Sequence, residues 1–412
     1  MTVPTINAVI NFSTGPSFGP AMVLGEGILG TNVLADANTL IVDVSNVVDG
    51  ITTMRGRNAQ ADVFQTGTLT LRIVDQNGDF NPQNAAGPYF GLLTPLRKVQ
   101  ISATYAGITY PMFSGFITSY TTTTPLMATD VVYTTITAVD AFRLFENSQI
   151  STVTLAEPGD LPGERINAIL DEILWPPSMR EIQYGDTIFQ ADPGNPRTAL
   201  AAMQTATISE YGALYIDTRG SITLKDRNFS VESQAIAPRV FNDNGSDINY
   251  NNAIWRLDDT QVYNQASITK IGGTAQVDQN EASIEEYFAH SYNQQDLVMD
   301  TNQAALDYAR AYVASRKDTR TRCDFLELNL YSADYNDGIL AALELDFFDP
   351  VTITTNQPGN STLVQTLQVF GVQHQVTPSS WKTTFTTLEP IIDGFILSSS
   401  LYGVLDTSVL SY

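Results

Sequence analysis

Residues 68–73 alternate without exception: Leu69, Leu71 and Ile73 fall on one side of an extended chain, and Thr68, Thr70 and Arg72 on the other. A period of two suits a half-buried β-strand and does not suit a helix. The same texture recurs at residues 97–101, 112–117 and 133–137, where short runs of Val, Ile, Thr, Tyr and Phe are set off by Gly, Asn, Asp and Pro. A chain written this way folds mainly as β-structure, in barrels or sandwiches.

With 412 residues the chain exceeds the ~250 to 300 that one core serves, so two to four domains are expected. The pattern breaks at 158–163. Just beyond, Ile166, Ile169, Leu170, Ile173 and Leu174 form the stripe of an amphipathic helix over 163–174, stopped by Trp175-Pro176-Pro177. A second helix is expected over 197–210, then two strands at 211–217 and 221–225 about the turn Thr218-Arg219-Gly220. A third is expected over 301–317, with Asp300 at its start, Arg316 and Lys317 at its end, and Ala305, Ala309 and Tyr312 facing inward. The fold class is thus mainly β with a small α+β portion: a barrel-like domain at 1–149, an α+β domain at 150–232, and a second barrel-like domain at 233–388 carrying that one helix. Residues 389–412 read as a terminal arm or hairpin.

An internal echo supports the two barrels. Met112-Phe113-Ser114-Gly115-Phe116-Ile117 and its Thr-rich return at 133–137 resemble Gln368-Val369-Phe370-Gly371-Val372-Gln373 and its return at 381–386. Chance likeness between Thr-rich hairpins is the competing explanation. Two alike barrels per chain let a trimer present six units, matching a three-fold part to a six-fold one.

Charge narrows the partners. The 44 acidic and 21 basic side chains leave a net charge of −23, which argues against wrapping nucleic acid, because phosphate neutralisation needs Lys and Arg. Solubility is the ordinary reading of such acidity, and an acidic pore or an electrostatically chosen partner is the alternative. One cysteine, Cys323, permits no internal disulfide and fits a reducing compartment. No basic and apolar leader opens the sequence, and no run of ~18 apolar residues marks a membrane span.

Residues able to carry chemistry are few. His290 falls in an Asn/Ser/Tyr-rich loop and His374 inside an alternating strand, so neither has a triad's setting. His290, Cys323 and His374 are the whole supply of His and Cys, too scattered for zinc. Asp75, Asn77 and Asp79 around Gly78 resemble half a calcium loop, but the twelfth place is Ala86, and a hairpin turn is the ordinary reading; the turn at Asn242 to Asp247 reads the same way. Glu164, Asp171 and Glu172 are glycosidase-type carboxylates only in principle, since the polar side of a helix is where solvated charge belongs. Gly25-Glu26-Gly27 lacks the rest of a dinucleotide fingerprint, and no phosphate loop is present. No catalytic, cofactor or metal residue is assigned.

A collinear series of motifs resembles the minor tail or tail-hub proteins of long-tailed bacteriophages. Met54-Arg55-Gly56-Arg57 leads through Gly67-Thr68-Leu69-Thr70-Leu71 to Asn77-Gly78-Asp79-Phe80-Asn81-Pro82, and Arg97 to Val99 and Phe113-Ser114-Gly115-Phe116-Ile117 follow in family order. Ala199-Leu200, Glu210-Tyr211-Gly212-Ala213-Leu214-Tyr215, Ile222 to Arg227, Tyr263 to Thr269, Trp381 and Leu401 to Asp406 extend the likeness almost to the C-terminus. The resemblance implies a non-enzymatic hub at the virion's tail tip, related to the baseplate hub of contractile phages and assembled in the host cytoplasm. It would be a trimer of tandem barrels joining the tail tube to the tip or fibre, touching the tape-measure protein, with DNA passing through unbound. A carbohydrate-binding adhesin, suggested by three Trp and 18 Tyr, is the alternative, and a tip-borne wall hydrolase a third reading.

Overall fold

The computed structural model describes residues 3–12, 40–57, 63–123, 131–229, 233, 236–319, 321–331, 336–359 and 361–389. The segment holding Gly25-Glu26-Gly27 and the proposed arm beyond Glu389 lie outside them, as do Leu401 to Asp406.

The N-terminal strands are β1 (Thr5–Asn11), β2 (Ile41–Asp43), β3 (Val48–Gly56), β4 (Gln65–Val74), β5 (Lys98–Tyr105), β6 (Ile108–Thr123) and β7 (Tyr133–Val139). A middle stretch carries β8 (Gln149–Ile150), β9 (Arg180–Ile182), β10 (Arg197–Thr198), β11 (Ala213–Ile216) and β12 (Ile222–Lys225). The C-terminal strands are β13 (Arg239–Asn242), β14 (Asn252–Arg256), β15 (Gln265–Lys270), β16 (Gln276–Gln279), β17 (Ser291–Leu297), β18 (Arg322–Asn329), β19 (Pro350–Gln357), β20 (Ser361–Thr377) and β21 (Ser380–Leu388). The architecture is mainly β, as the alternation implies: β4 buries Leu69, Leu71 and Ile73 completely or nearly so while Thr68, Thr70 and Arg72 face outward.

One sheet runs through both ends of the chain in the order β14-β18-β21-β20-β3-β4-β7-β6-β5-β1-β2, with β19 also on β20 and β13 on β19. Its two halves repeat. β3, β4, β7, β6, β5 and β1 lie side by side in the order shown by β14, β18, β21, β20, β19 and β13, and each set enters the chain in the same sequence. The match breaks only at the last strand, since β1 runs antiparallel to β5 and β13 parallel to β19.

The register of the repeat is set by bulges. β6 is irregular between Ile117 and Ser119 against β7, and β20 between Val369 and Gly371 against β21. Thr118 therefore corresponds to Phe370, and Ser119 to Gly371. The echo lies in the right strands but four residues out: Gly115 pairs with Val99 and is not the counterpart of Gly371.

The turn after β4 also differs from expectation. Gly78 does adopt a positive φ, and its N–H reaches Asp75 O at 3.0 Å. Yet the chain does not return beside β4 as a hairpin. It winds through successive turns to β5, whose neighbours are β6 and β1.

Three cores support this frame. The largest joins both halves of the sheet, with Leu71, Ile101 and Phe113 from one and Leu326, Val351 and Phe385 from the other. The second gathers Phe142, Phe145, Ile166, Ile169, Met203 and Ile222 in the middle stretch. There the first long helix spans Pro162–Glu172, ending short of Leu174, which has φ 57° and is 87% exposed instead of joining the apolar stripe. The next, Ala199–Glu210, is capped by Thr198, whose hydroxyl accepts from Ala201 N at 3.1 Å, a contact worth about 1 kcal/mol.

The third core belongs to an insertion between β14 and β18: the sheet β16-β15-β17 under the helix Asn302–Arg316. Ala305, Ala309 and Tyr312 are fully buried there, and Tyr292 stacks on Tyr312 with centroids 3.8 Å apart. Thr301 rather than Asp300 caps this helix, accepting from Ala304 N. Among the described residues three further helices, Phe142–Asn147, Glu281–Tyr287 and Asn336–Glu344, lie outside those expected from the sequence.

Candidate functional site

The place where the two halves of the sheet meet is built from the Arg55-Gly56-Arg57 triplet. β3 lies antiparallel to the C-terminal part of β20, from Ile51 opposite Val376 to Gly56 opposite Gly371, and Arg57 N donates to Phe370 O at 2.9 Å. Gly56 has φ 110°, and a Cβ there would stand 2.2 Å from Phe370 O, so only glycine allows the strands this approach. Arg55 lies over the Phe347 ring at 4.7 Å and Arg57 over Phe370 at 4.1 Å, cation–π contacts that are strongest when desolvated. Phe64, Phe347, Phe348 and Phe370 close around them.

Beside this joint lies a cavity of about 400 Å³, walled by Arg55 and Met112 of the N-terminal half, Glu181, Asp217 and Thr223 of the middle stretch, and His374 of β20. Arg55 bridges the walls by donating to Asp346 Oδ1 at 3.2 Å and to the Ile216 carbonyl at 3.2 Å. Burial pushes the Asp217 carboxyl up, against the lowering effect of the Ser221 N–H it accepts.

His374 is no acid–base group here. Its Nδ1 sits 2.9 Å from Thr383 Oγ1 and 3.5 Å from Trp381 Nε1, and desolvation, reinforced by the Arg55 charge, pushes it down to about 3. The imidazole is a neutral core acceptor. His290 Nε2 lies 3.0 Å from the Tyr287 carbonyl and 3.9 Å from Asp259 Oδ2. Cys323 is buried and its thiol is pushed up to about 12 by desolvation and then by Asp324, which leaves it inert.

The carboxylates singled out from sequence are held by backbone and side-chain donors. Asp75 is 3% exposed and accepts from Phe80 N and from Thr134 Oγ1 at 2.7 Å, so donors already fill the place a cation would take. The Asn77 carbonyl accepts from Asn84 Nδ2. Glu164 accepts from Leu161 N, Glu172 from Thr154 N, and Asp171 pairs with Arg180 at 2.7 Å. These last three do not converge on a cleft. Asn242 to Asp247 form a self-bonded turn, Asn244 N donating to Asn242 Oδ1.

Sequence reasoning missed the joint itself, although it singled out Arg55, Gly56 and Arg57. It also singled out Glu210 and Arg227 as motif residues, but not their role: Glu210 is fully buried, accepts from Asp186 N and Thr187 N, and pairs with Arg227 at 3.2 Å.

No family model matches the sequence, and no curated protein matches it either. Solved structures do. The 43 kDa tail protein of prophage MuSo2 from Shewanella oneidensis aligns with a TM-score of 0.56 at 10% identity, over 93% of this chain and 99% of that one. The tail protein from Neisseria meningitidis MC58 aligns with a TM-score of 0.57 at 10% identity, over 93% and 97%. Near full-length superposition at so low an identity is a likeness of fold, and the chain has the fold of these tail proteins.

Proposed function

We propose that this protein is a structural component of a long-tailed phage's tail, a hub whose copies close into a ring, three per ring, between the tail tube and the tip or fibre. Residues 1–149 and 233–388 form the ring wall on this reading, with 150–232 set against it and 389–412 as an arm. The observation that carries it is the repeat: six strands of one half recur in the other in the same order, and the halves are joined strand to strand. A chain made of two alike units turns three copies into six wall segments. Tube proteins, a tape-measure protein and a tip or fibre protein are the partners proposed, and the DNA passes through the ring without specific contacts.

The described side chains favour a mechanical role over a catalytic one. The two histidines and the thiol are core or loop groups, and among the described residues no cluster of three or more His, Cys, Asp or Glu is placed to hold a metal. The tryptophans do not form a sugar-stacking face: Trp175 and Trp381 are buried, and Trp255 donates to Thr355 Oγ1 at 2.9 Å. Part of the −23 charge is proposed to line the lumen and repel DNA, which a neutral or basic lumen in an assembled ring would refute.

The test is native mass measurement on the purified full chain, followed by electron microscopy. A mass of three copies and a ring with a central channel is expected. A monomer at every concentration, with no ring in the presence of tail-tube protein, overturns the reading.

A further inference from the structure

The joint inside the chain has an unmade counterpart at each end. β20 is shared along its length: β19 pairs with its N-terminal part and stops at Pro350 opposite Gln368, after which β3 takes over on that edge from Gly371 to Val376. β6 begins in the same way. β5 pairs with its N-terminal part and stops at Lys98 opposite Phe116, and β6 then runs on to Thr123 against β7. Among the described residues no strand takes the other edge of β6 from Ser119 to Thr123, where β20 has β3.

The missing partner type is present elsewhere in the fold. β14 stands in the C-terminal half where β3 stands in the N-terminal half, yet among the described residues it pairs with β18 alone. It is an exposed edge: Ile254 is 42% exposed and Leu257, just past it, 64%. Open edges with apolar side chains pair with further strands unless something blocks them. On the waiting part of β6, the Tyr120 hydroxyl is buried with no hydrogen-bond partner.

We propose that β14 of one copy adds antiparallel to residues 119–123 of β6 in the next copy, repeating between chains the β3·β20 joint made within each. The occupant is a second copy of this chain, because the chain already contains both surfaces and shows how they fit. The register follows from the repeat. Thr52 pairs with Thr70 as Ile254 pairs with Phe325, and Thr52 lies opposite Gln375, whose counterpart on β6 is Thr123. Ile254 of one copy therefore faces Thr123 of its neighbour. The contact is head-to-tail, so it closes only if the rotation per copy closes. This rests on the ring reading above and says how the ring is sealed.

The experiment uses the full chain in a Cys323→Ala background, with Ile254→Cys and Thr123→Cys combined. Both sites are solvent-facing, and circular dichroism checks the fold. Across an antiparallel pair the two Cβ atoms stand about 5 Å apart, within disulfide reach. Copper-catalysed oxidation of the assembled protein should give a ladder ending at three linked chains. The offset pair Ile254→Cys with Thr121→Cys, two residues away on the same face, should link at least tenfold less. A ring seen by native mass that gives no ladder, or links both pairs equally, overturns the joint and leaves the ring standing. A folded chain that forms no ring removes the ring reading, and the joint with it.

Discussion

Leu96 and Phe348 hold the same unusual backbone in the two halves of the chain. Their φ angles are 65° and 70°, and each donates its N–H at 2.7 Å to the carbonyl of the residue just before a bulge, Ile117 for one and Val369 for the other. The next residue in each case, Arg97 or Asp349, takes the return bond from the N–H of Ile117 or Val369. Left-handed backbone costs a side-chain-bearing residue about 1–2 kcal/mol. The same left-handed corner at two matching strand entries, bonded in the same way, marks one structural unit used twice.

That strain gives a first prediction. Leu96 is 43% exposed, so Leu96→Gly relieves the φ while losing little packing, and its stability should stay within about 1 kcal/mol of the parent. Leu96→Pro cannot reach φ 65° and has no N–H for Ile117, and should cost about 3 kcal/mol or more. Phe348 is only 6% exposed, and Phe348→Gly should lose about 3–5 kcal/mol through the cavity it leaves. Urea midpoints of the variants decide it. Equal losses for both glycine variants would show that strain, not packing, dominates at the two sites.

A second prediction concerns Asp140, which is buried and accepts from Gly67 N at 2.5 Å and Phe142 N at 3.0 Å. Desolvation outweighs those bonds and pushes its carboxyl from 3.8 up to about 7. Asp349 is pushed up to about 6 for the same first cause. A folded state that holds protons the unfolded chain has released is favoured at low pH. Stability attributable to Asp140 should therefore fall as pH rises from about 4 to about 7 and stay level above. At about 1.4 kcal/mol per pH unit the ceiling is about 4 kcal/mol. Asp140→Asn loses one acceptor and some absolute stability, but its unfolding free energy between pH 4 and 7 should show a smaller slope. An unchanged slope would place the effect on the rest of the acidic surface.

A third prediction lies in the middle stretch. Glu210→Ala leaves two backbone N–H groups and Arg227 without their acceptor in a fully buried place, and should cost about 3–5 kcal/mol. Arg227 is 40% exposed, and its removal leaves the buried Glu210 carboxylate held by two backbone donors without a counter-charge, so Arg227→Ala should cost less, about 1–3 kcal/mol. Thermal melts that rank the two variants the other way would refute this account of the site.

Much of this was legible in the residues, and the rest was not, for identifiable reasons. The alternation in β4 and the Thr-rich return strands announced a β-protein with two alike hairpins, because a period of two is a local property. The register of the echo was not legible. Phe-Gly pairs on alternating strands match at every even offset, and the bulges at Thr118 and Phe370 that decide among offsets carry no compositional mark. β16 and β17 escaped because they read Gln-Val-Asp-Gln and Ser-Tyr-Asn-Gln-Gln-Asp-Leu, largely polar runs of which only Leu297 is buried. Arg55, Gly56 and Arg57 stood out as a motif, yet their purpose depends on β20, more than 300 residues away in the chain.

The joint between the halves supplies the last prediction. Gly56 and Gly107 both have positive φ, 110° and 84°. A Cβ on Gly107, in the turn between β5 and β6, meets nothing within 4 Å, so Gly107→Ala carries only the backbone penalty, about 1–2 kcal/mol. A Cβ on Gly56 would stand 2.2 Å from Phe370 O, 2.5 Å from Gly371 Cα and 2.9 Å from the Phe347 ring. Two of those atoms are backbone of the partner strand, so relief requires β3 and β20 to separate. Arg57 N then loses Phe370 O, and the phenylalanine cluster opens. Gly56→Ala should cost at least about 3 kcal/mol, beyond the turn variant by the price of the joint. It should also speed hydrogen exchange at residues 51–57 and 371–376 ahead of the remaining strands. If Gly56→Ala proves as mild as Gly107→Ala and exchange there is unchanged, the two halves are not held together by this approach of backbones.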